Sequence, residues 1–369
     1  MGYLSSKKSK RSKKVAGVTA VLGAGLASMA SLAAAPAASA ATQSASPAGW
    51  HVVDTVTSGA SHPASLGAIV STGKTSGYVF ESAAGSGYPA AYERTGTTMW
   101  KKVAFPGRAG ERVVTAGATS PTDVWAFSAL ANGDSRVFEL AKGKWTAVKT
   151  FSFPIASATV LGGKDVWVFG TADDSGAARL GVYHYDGRTW TRVSATLGDG
   201  FAVSDKDVWA STGSSVENYD GHKWTATSLA TLLPKDKHVK LVDGIIALSA
   251  KNVYALASDF TGGETAVLYV LHYNGHQWSR VAENYGFSSR SLSPDGQGGF
   301  FFTAFQHDAG NPALLRYHDG KLADVPPFTG TSSPAQAFDV THVPGTTQQL
   351  VTASTASATK VSAEVLQGS

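Results

Sequence analysis

The residues able to do chemistry are few and scattered. Asp173 and Asp174 are adjacent and could offer carboxylate oxygens to Ca²⁺. No Asp-x-Asp-x-Asp-Gly loop surrounds them, and a solvated acidic turn explains them as well. His307 and Asp308, with Asn311 close by, could contact a sugar or a metal, or simply form a polar loop tip. Tyr88, in Gly85-Ser86-Gly87-Tyr88-Pro89, is an aromatic on a glycine-rich loop. It could stack on a ligand, its alternative being to pack against a neighbouring element. There is no Gly-x-Ser-x-Gly elbow, no His-Glu-x-x-His helix and no phosphate-binding glycine loop. These residues point to ligand contact without a cofactor, a metal site or a catalytic group.

The elements that position them are legible in composition and repetition. The chain has 369 residues, 43% of them hydrophobic and 16% charged, with 40 Gly and 9 Trp. So many aromatics and so few charges exclude disorder, while the glycine content works against long helices. There is no cysteine, which excludes disulfides, thiolate metal sites and a lipoprotein anchor. Residues 1–40 read as a secretory signal peptide. They carry a basic head of Lys7, Lys8, Lys10, Arg11, Lys13 and Lys14, then an uncharged run to Ala40 that ends in Ala38-Ser39-Ala40. An uncleaved membrane anchor is the alternative. Six of the 31 basic residues lie in that head, leaving 25 against 27 acidic ones and a mature charge of −2. Without a basic excess, nucleic acid is not an expected partner. Nor is a membrane, once the signal is cleaved.

Two short motifs recur. Asp123-Val124-Trp125-Ala126, Asp165-Val166-Trp167-Val168 and Asp207-Val208-Trp209-Ala210 are near copies, and Asn252-Val253-Tyr254-Ala255 is a weaker one. Extended outward, the key position falls at Phe80, Trp125, Trp167, Trp209, Tyr254, Phe301 and Leu350, with gaps of 45, 42, 42, 45, 47 and 49 residues. The second motif is Asp186-Gly187-Arg188-Thr189-Trp190, repeated at Asp220 to Trp224 and Asn274 to Trp278. Asp-Gly and Asn-Gly between apolar runs signal two-residue hairpins with both residues at positive φ. Each repeat therefore holds four short strands. Four strands every 45 residues or so is the period of a propeller blade. The expected fold is an all-β, seven-bladed propeller over residues 41–369; six or eight blades would follow if the weak terminal copies were misassigned. The seventh repeat ends after its third strand, so Gly49 to Val53, with Trp50, would supply the fourth and close the ring. All nine tryptophans occupy the two repeat positions, which marks them as packing residues.

Kelch repeats need a Gly-Gly pair and WD40 repeats a Gly-His and Trp-Asp signature, which these repeats lack. The turn departs from a sialidase-type Asp-box because its glycine comes one place early. With its Asp-Val-Trp-Ala strands and Asp-Gly-x-x-Trp turns, the chain resembles a group of secreted actinobacterial propellers over about residues 49–366. That resemblance implies the fold and a secreted life, and carries over no functional residue.

Connections between first and second strands, and between third and fourth, share one face and are short. The opposite face collects longer, dissimilar loops: 83–89, 129–135, 171–177, 259–265, 306–312 and the link 228–242, which carries Lys235, Asp236, Lys237, His238 and Lys240. Variable loops on a rigid scaffold are where binding resides. The expected function is non-catalytic recognition of a glycan or of a secreted or cell-surface protein, by itself or within an extracellular complex. The alternative is a propeller enzyme, such as a glycosidase or lyase, with carboxylates or a His/Arg cluster at the central channel. His184, His272 and Asn218 share one column of the third strand, which marks them as structural. Deleting residues 41–53 is expected to destabilise the whole domain cooperatively in thermal melts followed by circular dichroism. Loss of order confined to the last repeat would argue against closure by the N-terminal strand.

Overall fold

The computed structural model describes residues 50–56, 65–82, 87–97, 99–170, 181–235, 238–260, 266–285, 287–306, 312–325, 335–356 and 361–369. Their strands form seven antiparallel sheets of four. Blade 3 is typical: Ile155–Gly162 is the inner strand, followed outward by Asp165–Gly170, Val182–Tyr185 and Trp190–Ser194. The other inner strands are Ser65–Gly73, Arg112–Ser120, Gly198–Ser204, Val239–Ser249, Phe287–Pro294 and Ala335–His342. Each packs against the next, and the last against the first, around a central channel. Blade 7 takes three strands from the C-terminal end and its outer strand, His51–Val56, from the N-terminal end. Seven blades closed by the N-terminal strand are what the repeats imply.

The aromatic positions work between blades. The key ring of one blade faces the third-strand tyrosine and outer tryptophan of the next. Trp125 meets Tyr185 at 5.7 Å and Trp190 at 6.5 Å; Trp209 meets Tyr273 at 4.9 Å and Trp278 at 5.5 Å. Such pairs are worth about 0.5–1.5 kcal/mol beyond the area they bury. In the first blade the ladder corrects the expected register. Gly73 pairs with Ser76 across the hairpin, so the key position is Tyr78, not Phe80. The two lie on the same side of a strand whose side chains alternate, and both rings pack on Trp145.

The aspartate of the first motif ties its blade together. Trp167 Nε1 donates to Asp165 Oδ1 at 3.1 Å, and His184, stacked on the indole at 4.3 Å, donates to the same oxygen. Asn218 and His272 reach Asp207 and Asn252 in the same way. The third-strand column is structural, as its periodicity implies. The Asp-Gly-x-x-Trp turns differ from the expected mirror-image hairpin. Only the glycine has positive φ, 86° at Gly187 and 90° at Gly221. The aspartate instead caps the turn: Asp186 Oδ1 accepts from the amides of Arg188 and Thr189, which hold its carboxyl below the usual range. Positive φ at both residues occurs at Lys142-Gly143 and Asp319-Gly320.

Every inner strand carries a bulge at the end nearer the long loops. A bulge re-aims side chains and interrupts pairing. At this level three aspartates fasten one blade to another. Asp199 accepts from Ser157 of blade 3. Asp243 accepts from Ser258 of its own blade and from the Ser289 amide of blade 6. Asp339 accepts from Ser291 of blade 6 and from the Ile69 amide of blade 1 at 2.8 Å. Neighbouring inner strands share no backbone ladder, so these carboxyls stand in for one. Burial pushes their proton affinity up, to about 6 for Asp199 and Asp339 and about 7 for Asp243, where Asp199 adds repulsion.

The junction between blades 7 and 1 is built differently. Its key residue is Leu350, and its buried core is aliphatic, with Leu66, Ile69, Val79, Val343, Leu350 and Val365, while the partly buried Tyr92 and Trp100 pack against it. Arg94 occupies the third-strand position held by Tyr185, Tyr219, Tyr273 and Tyr317 in blades 3 to 6. It is 1% exposed. Nη2 donates to Gln367 Oε1 across the seam and to Thr97 O, both at 2.8 Å. Nε and Nη1 have no hydrogen-bond partner among the described residues. Ser71 N also donates to Thr341 Oγ1, and Thr352 Oγ1 to Gly67 O.

Two outcomes follow from these contacts. A carboxyl whose folded proton affinity exceeds its unfolded one stabilises the fold most below the unfolded pKa, near 4, and loses that contribution as pH rises through its folded value. The three aspartates therefore cost stability between about pH 4 and pH 7. Asp243→Asn keeps an oxygen for Ser258 and Ser289 and removes the charge. It is expected to raise the melting temperature at pH 8 and leave it unchanged at pH 4, and an equal shift at both would disprove the linkage. Arg94→Tyr, which restores the residue of the other blades, is expected to stabilise by about 1–3 kcal/mol in urea titrations. A lower midpoint would mean that the Gln367 and Thr97 contacts outweigh the uncompensated charge.

Candidate functional site

Five of the seven connections between first and second strands are two-residue turns, such as Gly163-Lys164 and Asp205-Lys206. Blades 6 and 7 have longer ones, Asp295–Gly299 and Val343–Gln348. Between them lies an open depression of about 480 Å³ lined by Gly296, His342, Gly345, Thr346 and Thr347. His342 Nε2 is spent on Thr346 O at 2.6 Å, so its ring holds the loop. In blade 6, Asp295 is saturated by the amides of Gln297 and Gly299 and by the side chains of Arg316 and His318. The short-turn face is thus organised by internal partners.

Of the residues singled out for ligand contact, Tyr88 alone falls among the described ones, on the long-loop face. Asp173, Asp174, His307, Asp308 and Asn311 lie outside the described residues. Tyr88 is described, and it does not pack against the neighbouring blade: 70% of it is exposed. Its surroundings are firmly built. The amide of Gly110 donates to Gly87 O at 2.8 Å, and a Cβ on Gly107 would collide with the ring of Pro89. The loop 87–89 and the link 107–110 therefore run side by side, with Tyr88 opposite Arg108 and Ala109.

A buried ion pair fixes that link from beneath. Glu111, fully buried, meets Arg136 Nη1 at 2.8 Å and accepts from Ser128 and from the Arg108 amide. Arg136 also donates to Pro106 O. Two charges taken out of water are tolerated only when their remaining lone pairs and protons are satisfied, as these are. An aromatic side chain is thus held out into solvent on a rigid base, where binding does not have to order a loop.

Other features of this face escaped the sequence reading. Tyr285, at the end of the outer strand of blade 5, is 63% exposed. Asp259 is buried between Lys240 Nζ at 3.5 Å and His238 Nδ1 at 3.3 Å. Two residues of the long link are thereby anchored to blade 5. Asp199 and Asp243 lie on neighbouring inner strands, and the charge of Asp199 adds a little to the upward push that burial gives Asp243. Their sequence signal is an Asp-Gly pair 44 residues apart, Asp199-Gly200 and Asp243-Gly244, which reads as a turn until the bulges are seen. Glycine follows because the backbone is crowded: a Cβ on Gly200 would strike Trp209 O and the Phe169 ring. Among the described residues, no group of three or more His, Cys, Asp or Glu is arranged to hold a metal ion, and no helix is long and apolar enough to cross a membrane.

No protein-family model matches the sequence, and no curated protein matches it. Solved structures do match in shape. YCF48 from Cyanidioschyzon merolae aligns with a TM-score of 0.56 at 12% identity, covering 87% of this chain and 99% of that one. The WD40 β-propeller domain of Doa1 aligns at 0.55 and 8% identity, over 86% of this chain and 97% of its own. The β-propeller domain of Myceliophteria thermophila Cps50 (Swd1) aligns at 0.56 and 9% identity, over 85% and 99%. At these identities the likeness shows the β-propeller fold alone.

Proposed function

We propose that this protein is a secreted, non-catalytic recognition propeller of the actinobacterial group its repeats resemble, and that it binds a glycan or a secreted or cell-surface protein through the long-loop face. The observation that carries this reading is Tyr88, a mostly exposed ring on a base fixed by the Glu111–Arg136 pair. Exposed aromatics on rigid supports are the usual anchors of recognition. The short-turn face spends its polar groups internally, as Asp186, Asp295 and His342 illustrate.

One observation favours a second reading. Asp199 and Asp243 are carboxyls on neighbouring inner strands whose proton affinities are raised towards neutrality, the range that acid–base work requires. Against it, both are engaged by serines and amides that fasten blades. Turnover of a polysaccharide by the purified protein, abolished by Asp243→Asn, would establish the enzyme over the recognition protein.

Binding by wild type and Tyr88→Ala is to be compared across a broad glycan panel that includes bacterial cell-wall polymers, and in capture from culture supernatant. Tyr88→Ala is expected to weaken binding about 10-fold or more, with the melting temperature unchanged. Equal binding by the two would rule out this corner as the site.

A further inference from the structure

We propose that the Tyr88 corner is built for a glycan bearing carboxylates, with Tyr88 lying on the sugar ring and Arg108 taking the acid group. This rests on the recognition reading and names the ligand class for the same site.

The pairing of segments brings the two residues together. Gly87 bonds to Gly110 and Pro89 abuts Gly107, so the residue between the first pair stands opposite those between the second. The Arg108 amide is fixed on Glu111 Oε2 at 2.6 Å, which anchors the base of its side chain. That side chain is exposed and forms no ion pair among the described residues. Glu111, the acid nearest to it in sequence, is turned inward and already matched by Arg136. Asp134, in the next blade's loop, accepts from Asn132 Nδ2 at 2.8 Å. The corner therefore sets an exposed tyrosine and an exposed arginine, the latter without an ion pair among the described residues, on backbone segments that run side by side. A guanidinium recognises a carboxylate through two parallel hydrogen bonds, and a tyrosine offers an apolar face with a polar tip.

The surroundings favour a sugar over a protein. A protein interface needs a contiguous desolvated centre. Among the described residues, Tyr88 stands without one. The other exposed large apolar residues belong elsewhere: Val52 to blade 7, Met99 to the short-turn face, Val148 to an outer strand and Tyr285 to blade 5. Gly87, Pro89 and Ala109 add little area around it. A single ring with one charged fork suits a monosaccharide unit in a chain.

The test is calorimetric titration of the purified protein with oligomers of galacturonate, glucuronate and mannuronate, their methyl esters and an oligoglutamate peptide, in low and moderate salt. At least one oligouronate is expected to bind, with its ester at least 10-fold weaker and added salt lowering the affinity. Tyr88→Ala and Arg108→Gln should each cost 10-fold or more, and Arg108→Lys should recover only part, since it keeps charge without the fork. Each variant's melting temperature should match wild type. Equal binding of acid and ester, or full affinity in Arg108→Gln, would overturn the assignment. Binding of oligoglutamate but no uronate would replace the glycan by an acidic protein. If no acidic ligand binds while Tyr88→Ala still abolishes capture of another, this inference falls and the recognition reading stands.

Discussion

A closed ring must join its last blade to its first, and this chain makes that joint with the segments furthest apart in sequence. From blades 1 and 2 through blades 6 and 7, each junction has an aromatic pair across it: Tyr78 with Trp145, Trp125 with Tyr185, Trp167 with Tyr219, Trp209 with Tyr273, Tyr254 with Tyr317 and Phe301 with Trp50. The seventh junction offers Leu350 and buried aliphatic neighbours, with Tyr92 and Trp100 at its margin and no ring–ring pair across it among the described residues. Its missing ring–ring contact is offset by directed polar bonds from Asp339, Thr341, Thr352 and Arg94. Trp50 adds a second dependence on the N-terminal segment, because the residue preceding the closing strand also packs on Phe301 of blade 6. Removing that segment would unpair one blade and strip the neighbouring junction together.

Polar closure has a cost that apolar closure lacks. A buried hydrogen bond is directional and fixes register, but its partners must be taken out of water. Asp339 retains a proton more readily than a solvated carboxyl, and Arg94 is left with two nitrogens unmatched among the described residues. The inner strands of the remaining ring repeat the same compromise at Asp199 and Asp243. Seven sheets arranged radially cannot pair backbone with backbone at their inner edges, so side chains at bulges must do it. The channel wall is therefore polar by necessity. That necessity explains its carboxyls without invoking a reaction.

The architecture was legible because repetition averages over local ambiguity. Seven near copies of one pattern implied seven four-stranded blades and identified the N-terminal strand as the missing outer one. Where a copy stood alone, the reading slipped. Tyr78 and Phe80 are both aromatic, both buried and two apart, and only the hairpin pairing separates them. The turn aspartates looked like hairpin residues because Asp-Gly serves both a mirror-image turn and an aspartate-capped one, which differ in the φ of a single residue. The channel aspartates were hidden for a related reason. An Asp-Gly pair signals a turn from sequence, while its use inside a strand depends on neighbours that are distant in the chain.

Tyr88 shows what distinguishes a binding residue on such a scaffold. Residues that repeat hold the ring together, and residues that break the repeat are free to do something else. Arg136 sits at a ladder position occupied in the other blades by Ala90, Gly181, Ser215, Tyr269, Ala313 and Glu364. Its partner Glu111 precedes the inner strand of the same blade. A buried ion pair that occurs once in seven copies is not needed to build a blade. Replacing it by apolar residues of similar volume would cost the fold little, but it would release the link that carries Arg108 and props Pro89. The pair is best understood through what it supports. It gives an exposed tyrosine the rigidity of the core, on a segment that runs beside the one carrying Arg108.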